Sequence, residues 1–103
     1  MSTLNDITST LLKSIAHPTR ISILELLREE NTLCVCTIYE KLNLEQSNIS
    51  QHLKILKNTG ILRSKKNGLQ VLYTVEYPEI FKIIDLAKDI IKIEAQKIND
   101  QFN

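Results

Sequence analysis

Two glycines and two prolines in 103 residues leave little material for loops, so long regular elements should dominate the chain. Only two cysteines are present, Cys34 and Cys36. That number excludes a disulfide framework and suits a reducing, cytoplasmic setting. No run approaches the ~20 consecutive apolar residues that span a bilayer. Residues 1–18 lack both a basic n-region and a continuous apolar core, so neither a membrane partner nor a secretory signal is expected. His17 and His52 are the only imidazoles. There is no glycine-rich phosphate loop and no nucleophile–base constellation, and Cys-x-Cys stands in place of the Cys-x-x-Cys redox motif, so the chain does not read as an enzyme. Acidic residues are missing from the whole stretch Gln46–Val75, which carries Lys54, Lys57, Arg63, Lys65 and Lys66. The rest of the chain sets eight cations against all twelve acids, a balance of −4 hidden within a net charge of +1. A basic centre between acidic ends fits a surface that meets nucleic acid.

The length fits one domain spanning residues 1–103. Leu4, Ile7, Leu11 and Ile15 recur at helical spacing and predict an amphipathic helix over Leu4–Ile15. It should end at Ala16-His17, because the residue before a proline is pushed out of helical geometry. Pro18 then suits the first turn of a second helix running to about Glu29. Ile21, Leu24 and Leu27, with the stem of Arg28, form its expected buried stripe, which Ile23 and Leu26 widen. His17, beside a helix start, reads as a cap or boundary group rather than a metal ligand. Arg20 in the first turn faces the positive helix end and calls for a carboxylate or a phosphate.

Asn31-Thr32 breaks the pattern, and Thr37-x-x-Glu40 is a capping box that would start a third helix at Thr37 and leave both cysteines at its threshold. After a turn at Asn43-Leu44 comes a fourth helix to about Asn58, with Gly60 as its C-terminal cap. Ile49, Leu53 and Leu56 form its buried face. Gln46, Ser47, Asn48, Gln51, Lys54 and Lys57 form the other, short amides and hydroxyls followed by cations, the chemistry that reads base edges and holds phosphates. Residues 37–58 therefore read as a helix-turn-helix. Two β-prone runs in residues 61–75 flank Asn67-Gly68, a hairpin signal, with Lys65, Lys66 and Asn67 at a basic tip. A final helix from Pro78 to about Ile98 carries more apolar surface than a small domain can bury. Residues 1–16 and 78–100 should pair with the same segments of a second subunit. The expected class is mainly α with a small β-hairpin wing: a dimeric winged helix-turn-helix that binds double-stranded operator DNA.

His17-Pro18-Thr19-Arg20, Leu33-Cys34-Val35-Cys36, Gln46-Ser47-Asn48-Ile49-Ser50-Gln51-His52-Leu53 and the Asn-Gly wing resemble the ArsR/SmtB family over nearly the whole chain. The resemblance implies a homodimeric winged-helix repressor that leaves DNA on binding a metal or metalloid, or on thiol oxidation. It places Gln46, Ser47, Asn48, Ser50, Gln51 and His52 on the recognition helix. His52 precedes an apolar Leu, so packing competes there with DNA contact. Leu-Cys-Val-Cys is similar to the sensing motif of arsenic-, cadmium- and lead-responsive members. Thiolates select thiophilic ions in any case, and As(III), Cd(II), Pb(II), Hg(II) and Cu(I) are the candidates for Cys34 and Cys36. The chain departs from the family in four places: Tyr39 replaces a third cysteine, no N-terminal arm carries one, Thr37 replaces the usual Asp, and Glu45 the usual Ser cap. Asp85 and Asp89 have no nearby histidine, which argues against a last-helix zinc site.

On a regular helix, residues i and i+2 lie about 200° apart, so two-point binding should hold the Cys34–Cys36 segment out of the helix or distort its entrance. A Cys34–Cys36 disulfide switch and simple packing of two small apolar side chains are the other readings of the pair. A module for protein–protein contact is the alternative to DNA binding, and salt-dependent DNA affinity separates the two.

Overall fold

A computed structural model describes all 103 residues, as α1 (Leu4–Ile15), α2 (Pro18–Glu30), β1 (Thr32–Cys34), α3 (Val35–Leu42), α4 (Gln46–Asn58), β2 (Leu62–Asn67), β3 (Gln70–Val75) and α5 (Glu79–Gln101). Local chemistry sets most of the boundaries. Thr3 and Asp6 close a reciprocal capping box on α1, with the Asp6 N–H donating to Thr3 Oγ1 at 3.1 Å and the Thr3 N–H to Asp6 Oδ2 at 3.0 Å. That pairing holds the Asp6 carboxyl below its ordinary pKa, because the Thr3 hydrogen bonds favour the charged form. His17 caps α2, its Nδ1 accepting the Thr19 N–H at 3.0 Å, and Pro18 occupies the first helical position. Asn43 ends α3 in left-handed geometry, φ 53° and ψ 47°. At the end of α4, Gly60 takes φ +82° and donates to the Lys57 carbonyl, while Ile61 N–H reaches back to Leu56 O at 3.0 Å. This Schellman arrangement turns buried Ile61 and Leu62 straight into the wing.

Ile23, Leu24, Leu27, Ile38, Ile49, Leu53, Leu56 and Ile61 are fully buried and form the centre of the core, each contributing roughly 1.5–3 kcal/mol of burial. The stripe of α2 is therefore rotated from the expected one. Ile23, Leu24 and Leu27 lie at its middle, and Ile21 and Leu26 are only partly covered. Arg28 is exposed; its guanidinium lies 4.9 Å from the centre of the Phe81 ring and pairs with Asp85 through hydrogen bonds of 2.7 and 2.8 Å. Lys88 bonds Glu25 at 2.9 Å, so α5 is tied to α2 by polar contacts beside the buried Ile80 and Ile84.

Three further features differ from the expected arrangement. Thr32–Cys34 forms a short strand, making a three-stranded antiparallel sheet in the order β1-β3-β2 instead of a lone hairpin. Helix α3 begins at Val35, not Thr37, because Cys34 supplies the cap. In the wing, Asn67 pairs with Gln70, so Gly68 (φ +65°) and Leu69 are the two turn residues. A positive φ at the first turn position is the type II′ pattern, which glycine accepts without steric cost.

Beyond Asp85 every residue of α5 is exposed, although Lys88 still bonds Glu25 of α2. The 23 residues of α5 span about 35 Å at ~1.5 Å per residue. The radius of gyration is 16.1 Å, against roughly 13 Å for a compact chain of about 100 residues. Leu86, Ile90, Ile91, Ile93 and Ile98 are exposed along this stretch, as are Leu4, Ile7 and Leu12 of α1.

Candidate nucleic-acid interface and thiol pair

Helix α4 has two distinct faces. Ile49, Leu53 and Leu56 lock one of them into the core at no measurable exposure. Gln46, Ser47, Asn48, Ser50, Gln51, Lys54 and Lys57 are all exposed on the remaining surface. None of these seven side chains is committed to a hydrogen bond or ion pair within the chain, so their donors and acceptors face outward. Glu45 makes no side-chain cap at the start of α4, which leaves first-turn amides free as donors. Lys65, Lys66 and Asn67 are likewise exposed and uncommitted on the wing, whereas Arg63 pairs with Glu76 at 3.1 Å.

His52 is set apart from its neighbours. Its ring is partly buried, and Nδ1 accepts the Arg20 Nε–H at 3.1 Å. The same guanidinium donates from Nη1 to the Ser14 carbonyl at 3.1 Å and the Lys13 carbonyl at 3.5 Å. The C-terminal carbonyls of α1 thus take the role expected of a carboxylate or phosphate, since that helix end carries partial negative charge. The His17 ring lies 4.5 Å from that of His52, centre to centre. Burial, with the neighbouring His17 and Arg20 adding to it, lowers the His52 pKa and favours the neutral ring. One cluster therefore links the end of α1, the start of α2 and α4, a connection with no local sequence signal.

Cys34 is 8% exposed and caps α3. Its sulfur accepts the Thr37 N–H at 3.4 Å and lies 3.2 Å from Thr37 Oγ1. The expected Thr37–Glu40 box does not form, because Thr37 is already the third residue of the helix. Cys34 and Cys36 are joined by a disulfide, with Cα atoms 5.4 Å apart. The sulfurs meet without unwinding the helix. Cys34 has extended backbone (φ −79°, ψ 160°), so the 200° separation of a regular helix does not apply to it. The pair opens on a cleft of about 310 Å³ lined also by Val35, Tyr39, Gln46, Leu69, Gln70 and Val71. Leu69, fully exposed at the wing turn, is a residue that sequence reasoning passed over. No third His, Cys, Asp or Glu gathers with the two sulfurs. The pair therefore fits a two-sulfur thiophilic centre and does not by itself close a three- or four-ligand site. On α5, both Asp85 oxygens are engaged by Arg28, which holds that carboxyl below its ordinary pKa.

No helix is long and apolar enough to cross a membrane. The family model described as "Bacterial regulatory protein, arsR family" matches residues 17–64, from the His17 cap into β2. The chain is 40% identical over 80 residues to the HTH-type transcriptional regulator MJ1325 of Methanocaldococcus jannaschii, covering 78% of this chain and 90% of that one. It is 41% identical over 81 residues to the arsenical resistance operon repressor of Escherichia coli, covering 75% and 68%. The solved structure of HlyU from Vibrio cholerae superimposes with a TM-score of 0.74 at 32% identity, over 87% of this chain and 97% of HlyU. An uncommitted polar face on the second helix of a helix-turn-helix, the sheet-backed wing and these likenesses together make the chain a member of the ArsR family, a winged-helix DNA-binding transcriptional regulator and not an enzyme.

Proposed function

We propose that two copies of this chain form a repressor that grips double-stranded operator DNA and lets go when a thiophilic ion bridges Cys34 and Cys36. The observation that carries the sensing half is the convergence of two sulfurs at the cap of α3, the first helix of the helix-turn-helix. Soft thiolates hold Hg(II) or Cu(I) in two-coordinate geometry, and As(III), Cd(II) or Pb(II) with further ligands from outside the pair. A helix N-terminus favours the negative charge of the capping sulfur. The convergence of the sulfurs favours a steric route to DNA over unwinding of α3, because the cleft beside them is lined by Gln46 of α4 and Leu69 of the wing.

On DNA, Gln46, Ser47, Asn48, Ser50 and Gln51 meet base edges in the major groove, and Lys54, Lys65, Lys66 and Asn67 meet the backbone. His52 acts through the Nδ1 bond that positions α4, with Nε2 left for a phosphate or base. Pairing of the copies covers the apolar surfaces of α1 and α5, including a groove of about 460 Å³ between Leu12, Ile15, Ile21, Ile83, Ile84 and Ile91. Two recognition helices then address two half-sites about 34 Å apart. The relatives support this reading, since the Escherichia coli protein is named an arsenical resistance operon repressor. A second reading follows from the sulfur–sulfur bond itself: a two-electron thiol–disulfide change at the same pair sets DNA affinity.

Fluorescence anisotropy on promoter DNA separates the two. Reduced protein receives As(III), Cd(II), Pb(II), Hg(II), Cu(I) or a mild oxidant, beside a Cys34→Ser/Cys36→Ser variant. Release by an ion, lost in the variant, supports metal sensing, and release by the oxidant alone supports the redox reading. DNA affinity that ignores every addition overturns both.

A further inference from the structure

Between Gln46 and Val75 the chain carries five cations and no acid, and the hairpin tip within that stretch holds a reactive pair of residues. Asn67 is followed by Gly68. The six other internal asparagines, Asn5, Asn31, Asn43, Asn48, Asn58 and Asn99, all precede residues with side chains. A following glycine matters because no Cβ obstructs ring closure between the asparagine carboxamide and the next backbone nitrogen. The structure leaves both partners accessible. Asn67 and Gly68 are exposed, and the Gly68 N–H bonds no carbonyl in the turn. No atom lies within 4 Å of where a Cβ on Gly68 would stand. The tip is also the least supported part of the sheet. Strand β1 meets β3 only at Leu72–Thr74, so the rungs Lys66–Val71 and Asn67–Gln70 belong to a two-stranded ribbon, which is marginal in water. Opening of the last rung frees the Asn67 carboxamide to turn onto the Gly68 nitrogen.

We propose that Asn67 is a site of spontaneous deamidation, and that the acid formed there loosens the wing from DNA. The Gly68 nitrogen, its proton lost to hydroxide, attacks Asn67 Cγ. A nitrogen–carbon bond forms, the Cγ–Nδ2 bond breaks, and Nδ2 takes a proton from water and leaves as ammonia, giving a succinimide. Water then adds at one ring carbonyl and reopens the ring. Attack at Cγ gives aspartate, attack at the Asn67 backbone carbonyl gives isoaspartate, and either way the Gly68 N–H is restored. One water is consumed and one ammonia released, with no change of oxidation state. Both products are ionised at neutral pH. The new carboxylate is the first acid in the basic stretch, close in sequence to Lys65 and Lys66, and it replaces an amide donor. Isoaspartate also adds a methylene to the backbone at the rung that sets the register. The effect on DNA rests on the reading of the wing as a backbone contact, whereas the chemistry does not.

The test incubates full-length reduced protein in mildly alkaline buffer beside Asn67→Gln, which keeps an amide but closes the ring far more slowly. Peptide mass mapping should find NH2 exchanged for OH at Asn67 ahead of the six other asparagines, with isoaspartate identified by enzymatic methylation. Conversion at Asn67 no faster than at those six overturns the site. In anisotropy on promoter DNA, Asn67→Asp should bind roughly tenfold more weakly at low salt, with the difference shrinking as salt rises. Incubated wild type should lose affinity in step with conversion, and incubated Asn67→Gln should keep its own. If Asn67→Asp binds like wild type while Lys65→Ala/Lys66→Ala weakens binding, the charge effect is refuted and the wing contact stands. If neither variant changes affinity, the reading of the wing fails with it.

Discussion

Replacing Arg20 with methionine removes the one side chain that ties the recognition helix to the rest of the scaffold by hydrogen bonds. The guanidinium donates to His52 on α4 and to the terminal carbonyls of α1. Methionine keeps much of the stem and none of the donors. Hydrogen bonds from a charged donor are worth about 1.5–3 kcal/mol each when shielded. Here the site is partly exposed, and water takes over part of the loss. We expect Arg20→Met to cost about 2 kcal/mol in all, a fall in Tm of roughly 10 °C for a chain of this size. Urea and thermal unfolding at one fixed protein concentration measure it, since the proposed dimerisation would make apparent stability concentration-dependent. A double-mutant cycle with His52→Leu should give a coupling of about 1 kcal/mol. A loss below about 0.5 kcal/mol, or additive single and double variants, would show that α4 is held by Ile49, Leu53 and Leu56 alone and refute the argument.

The same cluster fixes a pH dependence. The His52 pKa is lowered in the folded state, so the unfolded chain takes up a proton first as pH falls below the ordinary value of about 6.5. The stability contributed by neutral His52 is whole above that value and is lost as pH falls from there toward the lower folded pKa. The urea midpoint should drop over this window in wild type and stay flatter in His52→Gln. Lys65→Ala/Lys66→Ala should weaken DNA binding without changing operator preference, and flatten the plot of log affinity against log salt by about 0.9 for each phosphate that is no longer neutralised. An unchanged slope would show that the wing lysines do not touch the DNA backbone. Ile90→Asp places a charge on an α5 position that is 65% exposed in the single chain, so it should leave folding intact and shift sedimentation to the monomer.

The helices were legible because their apolar residues repeat at the helical period. Leu4, Ile7, Leu11 and Ile15 gave α1 to the residue, and Ile49, Leu53 and Leu56 gave the buried face of α4. The uncommitted polar surface of α4 was legible for the same reason, since it is what remains when the core face is removed. Strand β1 was hidden because three residues are too few to alternate visibly, and Thr32–Cys34 becomes a strand only by pairing with Leu72–Thr74 far along the chain. The cap of α3 was misplaced because Thr37 is the stronger cap by type, yet Cys34 holds the position where the strand ends. Asn67-Gly68 marked the wing but missed its turn by one residue, because the pairing of Asn67 with Gln70 sets the register. The partners of Arg20 were out of reach for a further reason: a carbonyl acceptor belongs to every residue and leaves no trace in composition.

Strand β1 has one more consequence. A two-stranded hairpin is marginal in water, and a third strand makes it a sheet. The third strand here ends at Cys34, whose register partner is Leu72 on β3. The backbone that carries the first sulfur is thus a hydrogen-bonded neighbour of the wing's central strand, and the two should open to solvent together as one cooperative unit. Deuterium uptake at the amides of Gln70–Val75 would then report, from a distance along the chain, whatever loosens or tightens Thr32–Cys34. Through a segment of three residues, the motion of the wing would become a readout of cysteine chemistry.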